Sequence, residues 1–304
     1  MKVYDCFTFY NEFELLELRL ESLDSIVDYF VLVEADKTQR NEDKPFYFLE
    51  NKEKFSKFLP KIRHLMMNVS DLSSAYKGDG DWIIENAQRD YIKQGLFDAQ
   101  SDDLIFISDL DEIPNPQILN NIFSNQVILL AQCLLPPPPA PSVLANKFAS
   151  IPCQLLVRAI ELLEVSPVAL NQTLHRYYLD LAKKDGFWQG TILTRYKNLP
   201  TPQKLRNLRT SLPQIANGGW HFSSMGGIDR VIEKTRIVCE GHSVEDSDTK
   251  YREFVKEMME KGSYLGTQNN AGTRTFFPYD IRKINLPYFE KFVKKYPYFL
   301  SSSS

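Results

Sequence analysis

The apolar positions of this chain change period several times, and the changes divide its first third into alternating elements. Residues 2–9 place Val3, Cys6 and Phe7 in a strand-like run, after which Phe13, Leu16, Leu20, Leu23 and Val27 recur at helical spacing. YFVLVEA at 29–35 is nearly continuous in its apolar character, as a strand buried on both faces would be. A helix in ENKEKFSKFL, a strand over 61–69, a helix over about 81–96 and a strand at 104–108 complete the series. Strands alternating with helices predict an α/β fold whose central sheet is mostly parallel and flanked by helices. Ligands of such sheets bind beyond the carboxyl ends of the strands. Glu34 lies at one such end, and Asp109, Asp111 and Glu112 lie at another, directly after LIFIS.

The order weakens beyond residue 125. Residues 126–166 are apolar and interrupted by four prolines at 136–139, which suit neither a helix interior nor a central strand. This segment reads as an irregular insertion or linker. Pattern returns over 167–300 with TLHRYYLDL, the strand-like WQGTILTRY at 188–196, NGGWHFSSMGG at 217–227 and two polar helices ending near Lys261. Residues 301–304, all serine, read as a disordered tail. One domain of two halves, 1–125 and 167–300, is expected.

Composition narrows the chemistry. With 43% hydrophobic residues, the 304-residue chain has enough apolar mass for a sizeable core. Its 36 basic and 39 acidic residues leave a formal charge of −3, which gives no field to attract nucleic acid, and none is expected as a partner. Cys6, Cys133, Cys153 and Cys239 are too scattered for a zinc-binding pair or a disulfide framework, which fits a reducing compartment. The N-terminus shows no apolar leader core and no run reaches the length of a membrane span. A soluble, cytoplasmic protein without an integral membrane segment is therefore expected, and the glycosylation patterns at Asn68 and Asn171 read as chance. Phosphate-loop, dinucleotide, zincin and nucleophile-elbow motifs do not occur, which removes the main support for ATPase, dehydrogenase, zinc protease and serine hydrolase activities.

Asp109 and Asp111 stand in D-x-D after a buried strand, and continued extended geometry would send both side chains to one side. Two hard oxygen ligands suit Mn²⁺ or Mg²⁺ with positions left for phosphate oxygens. The plainer alternative is an acidic turn in which Asp111 or Glu112 caps the following helix. Glu85, Gln88 and Arg89 share a helix face, so that Arg89 either pairs with Glu85 or reaches a diphosphate. His221, after Gly218 and Gly219, is either structural or a third metal ligand, with His242 as its competitor; His64 and His175 have no motif around them. Trp220 either fills the core or stacks on a sugar. Glu34 either caps a helix or pairs with a cation, or it accepts hydrogen bonds from a nucleoside.

YDCFTFYNEFELLELRLESL, DYFVLVEADKT, ENAQRDYI, DLIFISDLDEIP and GGWHFSSMGG occur in this order and together resemble glycosyltransferase family 17, over roughly 1–125 and 167–300. The resemblance implies a GT-A-like (Rossmann-like) nucleotide-sugar fold, a UDP-sugar donor, Mn²⁺ or Mg²⁺, inversion at the anomeric carbon, and transfer of N-acetylglucosamine to a saccharide or glycan. By position, Asp109 and Asp111 would hold metal and diphosphate; from their own chemistry His221 is the candidate third ligand, and Asn11, Glu34, Arg89 and Trp220 are the candidate donor contacts. Asp111 and Glu112 would serve catalysis, with Asp185, Glu240 and Glu245 as further candidates for the base. Sugar-phosphate nucleotidyltransfer and non-catalytic saccharide binding are the alternatives. The first lacks its glycine-rich basic loop, since FTFYNEFE occupies that place.

Overall fold

The computed structural model describes residues 1–78, 80–124, 127–132, 155–184, 187–237, 249–264 and 273–301. The prolines at 136–139, Cys133, Cys153, Cys239, Asp185, Glu240, His242, Glu245 and the serines at 302–304 lie outside the described residues. In chain order the elements are β1 (Val3–Thr8), α1 (Phe13–Leu23), β2 (Tyr29–Ala35), α2 (Tyr47–Asn51), β3 (Ile62–Met67), α3 (Ser70–Ser73), α4 (Ile83–Tyr91), β4 (Leu104–Asp109), β5 (Glu112–Pro114) and α5 (Pro116–Phe123). There follow β6 (Val127–Gln132), β7 (Leu155–Arg158), α6 (Ala159–Val165), β8 (Val168–Arg176), β9 (Tyr178–Lys183), β10 (Trp188–Arg195), α7 (Pro202–Asn207) and β11 (Gln214–Ser223). Helices α8 (Ile228–Ile237) and α9 (Thr249–Lys261), strand β12 (Phe276–Pro278) and α10 (Phe289–Lys295) end the chain.

The order β3-β2-β1-β4-β10-β8-β11-β6-β7 runs across one twelve-stranded sheet. Its first four strands pair in parallel. They are apolar on both faces because both faces are covered. Phe7, Phe30, Leu32 and Phe106 join the core on the side of α1, while Cys6, Val31, Val33, Ile105 and Ile107 join a second core on the other side.

The expected mostly parallel sheet is instead mixed. β10 enters antiparallel between β4 and β8, and β9, β12, β5, β6 and β7 all pair antiparallel as well. For β9 the cause is local: Tyr177, in the left-handed region at φ 68°, reverses the chain directly between β8 and β9, with no crossover helix. Of the segment 126–166, expected to be an irregular insertion or linker, the described residues 127–132 and 155–166 include strands and a helix. β6 and β7 pair in register, and β6 extends the sheet from β11. Two apolar runs flanking prolines have the same composition whether they belong to a linker or to a sheet edge, so composition alone does not separate the cases.

His175 sits on β8 with no exposure, its Nδ1 2.8 Å from the Leu179 carbonyl oxygen, and its Nε2 is buried with no acceptor. Burial pushes its pKa down to about 4, only partly opposed by that carbonyl. As pH falls from 6.5 the unfolded chain takes up a proton that the folded ring refuses, so the contribution to stability is full above 6.5 and lost towards 4. Stability should fall by about 3 kcal/mol over this window from this group. Urea unfolding at both ends of the window, with wild type and His175→Gln, checks it; an equal pH slope in the two proteins would remove His175 as the cause.

Candidate active site

The carboxyl ends of four strands meet at one edge of the sheet. Thr8 is in register with Asp109, so β1 and β4 stop at the same level. Two antiparallel steps, β4 to β10 and β10 to β8, restore the original direction, so that β8 and its parallel neighbour β11 also end here. The result is a cleft of about 370 Å³ whose wall includes Thr8, Asp109, Asp111, Arg176, Trp188 and His221. That is a volume suited to a small organic ligand.

The D-x-D turn is fixed from two directions. From β11, Phe222 N–H donates to the Asp111 carbonyl at 2.8 Å, and His221, Trp220 and Gly219 pair antiparallel with Glu112, Ile113 and Pro114. Gly219 is required for this approach: its φ is 141°, and a Cβ there would lie 2.2 Å from the Ile113 carbonyl oxygen. From α1, the fully buried Arg19 grips Asp5 through Nε (2.7 Å) and Nη2 (2.5 Å), and its Nη1 donates to the carbonyls of Asp109, Leu110 and Glu112 at 3.1, 3.0 and 2.9 Å.

Cations surround the acidic corner. Asp109 accepts from Arg89 on one oxygen and Arg206 on the other, both at 2.8 Å. Burial alone would raise its carboxyl, but Arg206 and then Arg89 hold it well below the ordinary range. Asp111, 5% exposed, faces Lys234 Nζ at 3.0 Å and His221 Nε2 at 3.4 Å. Here too burial acts upward and is outweighed, first by Lys234 and then by His221. Glu112 is fully buried and does not line the cleft. It accepts from Arg206 at 2.6 and 2.8 Å, from Trp188 Nε1 at 2.5 Å and from the backbone N–H of Asp109 at 3.0 Å.

These positions sort the residues expected from sequence. Asp109, Asp111 and His221 share the cleft, and His221 stands against Trp188 with ring centroids 4.8 Å apart. Glu112 is walled in by its partners and is out of reach as a base for a ligand in the cleft. Neither Asp111 nor Glu112 caps α5; Asn115 does, accepting from Gln117 N–H. Arg89 is buried between Glu85 (2.7 Å), Asp109 and Gln203, so the helix-face pair is real and the guanidinium is not presented to the cleft. Glu34 has no exposure; it accepts from Phe48 N–H at the start of α2 and from His64 Nε2 at 3.1 Å, with Lys44 3.5 Å away. It caps a helix and does not face the ligand space. Trp220 belongs to the core, because alternation along β11 turns it away from the face on which His221 lies. Asn11 donates to Glu233 at 2.7 Å in a small neighbouring cavity of about 40 Å³.

Sequence reasoning missed Trp188, Arg206, Lys234 and Arg176. Each is one charged or aromatic residue in an ordinary polar or strand-like run, and only the fold brings it to the corner. The donor set also tests the divalent metal expected at Asp109, Asp111 and His221. Both oxygens of Asp109 are taken by guanidinium groups and Asp111 already holds an ammonium group. Among the described residues no group of three His, Cys, Asp or Glu side chains is arranged to hold a metal ion. As placed, these side chains do not fit a divalent ion shared by the two aspartates.

Residues 1–128, which include Asp109 and Asp111, match the model of Glycosyltransferase family 17. This segment is similar to a protein named Beta-1,4-mannosyl-glycoprotein 4-beta-N-acetylglucosaminyltransferase. In Rattus norvegicus the identity is 30% over 119 residues, covering 37% of this chain and 22% of the relative. In Homo sapiens it is 32% over 110 residues, covering 34% and 20%. The chain thus spans about a fifth of the length of the curated relatives it matches. No helix among the described residues is long and apolar enough to cross a membrane.

Proposed function

We propose that the protein is an inverting glycosyltransferase that moves a sugar, N-acetylglucosamine by its relatives' name, from a UDP-sugar to a saccharide hydroxyl. The observation that carries this reading is the convergence of Asp109 and Asp111 on a cleft at the carboxyl ends of β1 and β4, within the segment that matches the family. The acceptor oxygen would form its bond to the anomeric carbon as the bond to the β-phosphate oxygen breaks. UDP leaves with the electron pair, and the hydroxyl proton passes to a base. Asp111, held ionised beside Lys234, is a poor proton acceptor. Its role is to fix Lys234 and His221 in the cleft. Trp188, beside His221 in the cleft wall, supplies an aromatic ring of the kind sugars stack on.

The test is UDP release and product formation across a panel of UDP-sugars with oligosaccharide acceptors, run with Mn²⁺ and with a chelator. Asp111→Asn should lower turnover by about a hundredfold or more, the size of effect typical of lost electrostatic preorganisation. If the wild type turns over no UDP-sugar and binds no UDP, the transferase reading is wrong.

A further inference from the structure

We infer that Arg176 and Lys234 form the anion site of the cleft and hold the diphosphate of the nucleotide donor. This rests on the transferase reading and adds to it two residues from the part of the chain outside the matched segment 1–128. Arg176 ends β8 with its guanidinium 5.1 Å from the ring centroid of Tyr264 and 5.4 Å from that of Tyr177. Its Nε is buried without an acceptor, and no carboxylate among the described residues pairs with it. The neighbouring cations are already committed. Arg89 and Arg206 clamp Asp109, Lys37 pairs with Asp43 at 2.5 Å, and Lys44 faces Glu34.

Lys234 approaches from α8. Asp111 holds its ammonium group at 3.0 Å, Glu12 lies 3.9 Å away, and the charge of Arg176 is close enough to oppose its own. Two like charges facing one cleft, one of them with no counter-charge, form a place that an anion completes. A planar guanidinium fork beside a compact ammonium matches an anion with several oxygens spread over two phosphates better than it matches a single carboxylate. The location agrees with the chemistry, since negative charge develops on the departing diphosphate and a fixed cation there needs no reorganisation. Tyr264 and Tyr177 hold the guanidinium plane without neutralising it.

Calorimetry with UDP, UMP, uridine and inorganic pyrophosphate tests the assignment on the full chain. In wild type, UDP should bind well above uridine, and the advantage should shrink as salt is added. Lys234→Met and Arg176→Met should each lower UDP affinity about ten- to a hundredfold and leave uridine unchanged. Lys234→Arg and Arg176→Lys, which keep the charge and guard against misfolding, should restore most of it. Equal losses for uridine and UDP, or unchanged UDP affinity in both methionine variants, would overturn the anion site while leaving the transferase reading intact. Wild type that binds pyrophosphate but no nucleotide would overturn the donor assignment and the transferase reading together.

Discussion

Replacing Arg206 with methionine should cost about 3–5 kcal/mol of folding stability, the range for stripping a buried carboxylate of its partner. Arg206 is 4% exposed and places one guanidinium between two acids: Nη1 and Nη2 reach both oxygens of the fully buried Glu112, and Nη2 also reaches Asp109. A fourth acceptor contact, the Gly190 carbonyl at 2.7 Å, ties the group to β10. Burial works against this charge, but Glu112 and then Asp109 outweigh it and keep the guanidinium firmly protonated. Methionine fills similar volume and returns none of the hydrogen bonds. Glu112 would keep only Trp188 and a backbone N–H, and Asp109 only Arg89. Urea unfolding reads the loss directly. A change below about 1 kcal/mol, as for an exposed pair, would show that water compensates these groups.

Arg19→Lys should separate folding from ligand binding in a way the first substitution cannot. Arg19 is fully buried, and its fork serves Asp5, the Ser108 hydroxyl at 2.6 Å and three carbonyls of the D-x-D turn at once. Lysine keeps the charge beside Asp5 but brings three donors where the turn and the carboxylate use five contacts or more. The fold should survive with a loss of about 2–3 kcal/mol, in line with hydrogen bonds lost from a charged group. The turn, however, loses its hold from α1, and UDP affinity should fall at least tenfold. Full affinity in a destabilised Arg19→Lys protein would mean that the β11 pairing alone sets the turn. Arg19→Met, which also leaves Asp5 bare, should lose more stability than the lysine variant.

The parallel half of the sheet was legible because strands covered on both faces have little choice but to be apolar throughout, and β2 falls on the very residues, 29–35, that the run marks. The D-x-D was legible for the opposite reason, as charge placed abruptly at a buried strand's end. What compensates that charge was not. Arg206 and Lys234 reach the corner from 97 and 123 residues away, and no local period records such a pairing. The tryptophans show the same limit. Alternation says that Trp220 and His221 lie on opposite faces of β11, but not which face is wet. The cleft took His221 and, from β10, Trp188, whose bond to Glu112 no pattern in WQGTILTRY announces. The antiparallel step from β8 to β9 escaped because a direct reversal at Tyr177 has no signature in a sequence without glycine there.

The seam between β4 and β10 has a bearing on how the protein can be cut. Strand β4 lies within the segment that matches the family model, yet one of its two neighbours comes from nearly ninety residues further along, in register from Ile107 with Ile192 to Leu104 with Arg195. A shortened polypeptide stopping near residue 128 would keep the matched segment and strip that neighbour away. It would present a bare, apolar row of unpaired amides and carbonyls, which is an invitation to stick to further copies of itself. The recognisable portion and the smallest self-sufficient portion of this molecule are therefore different things.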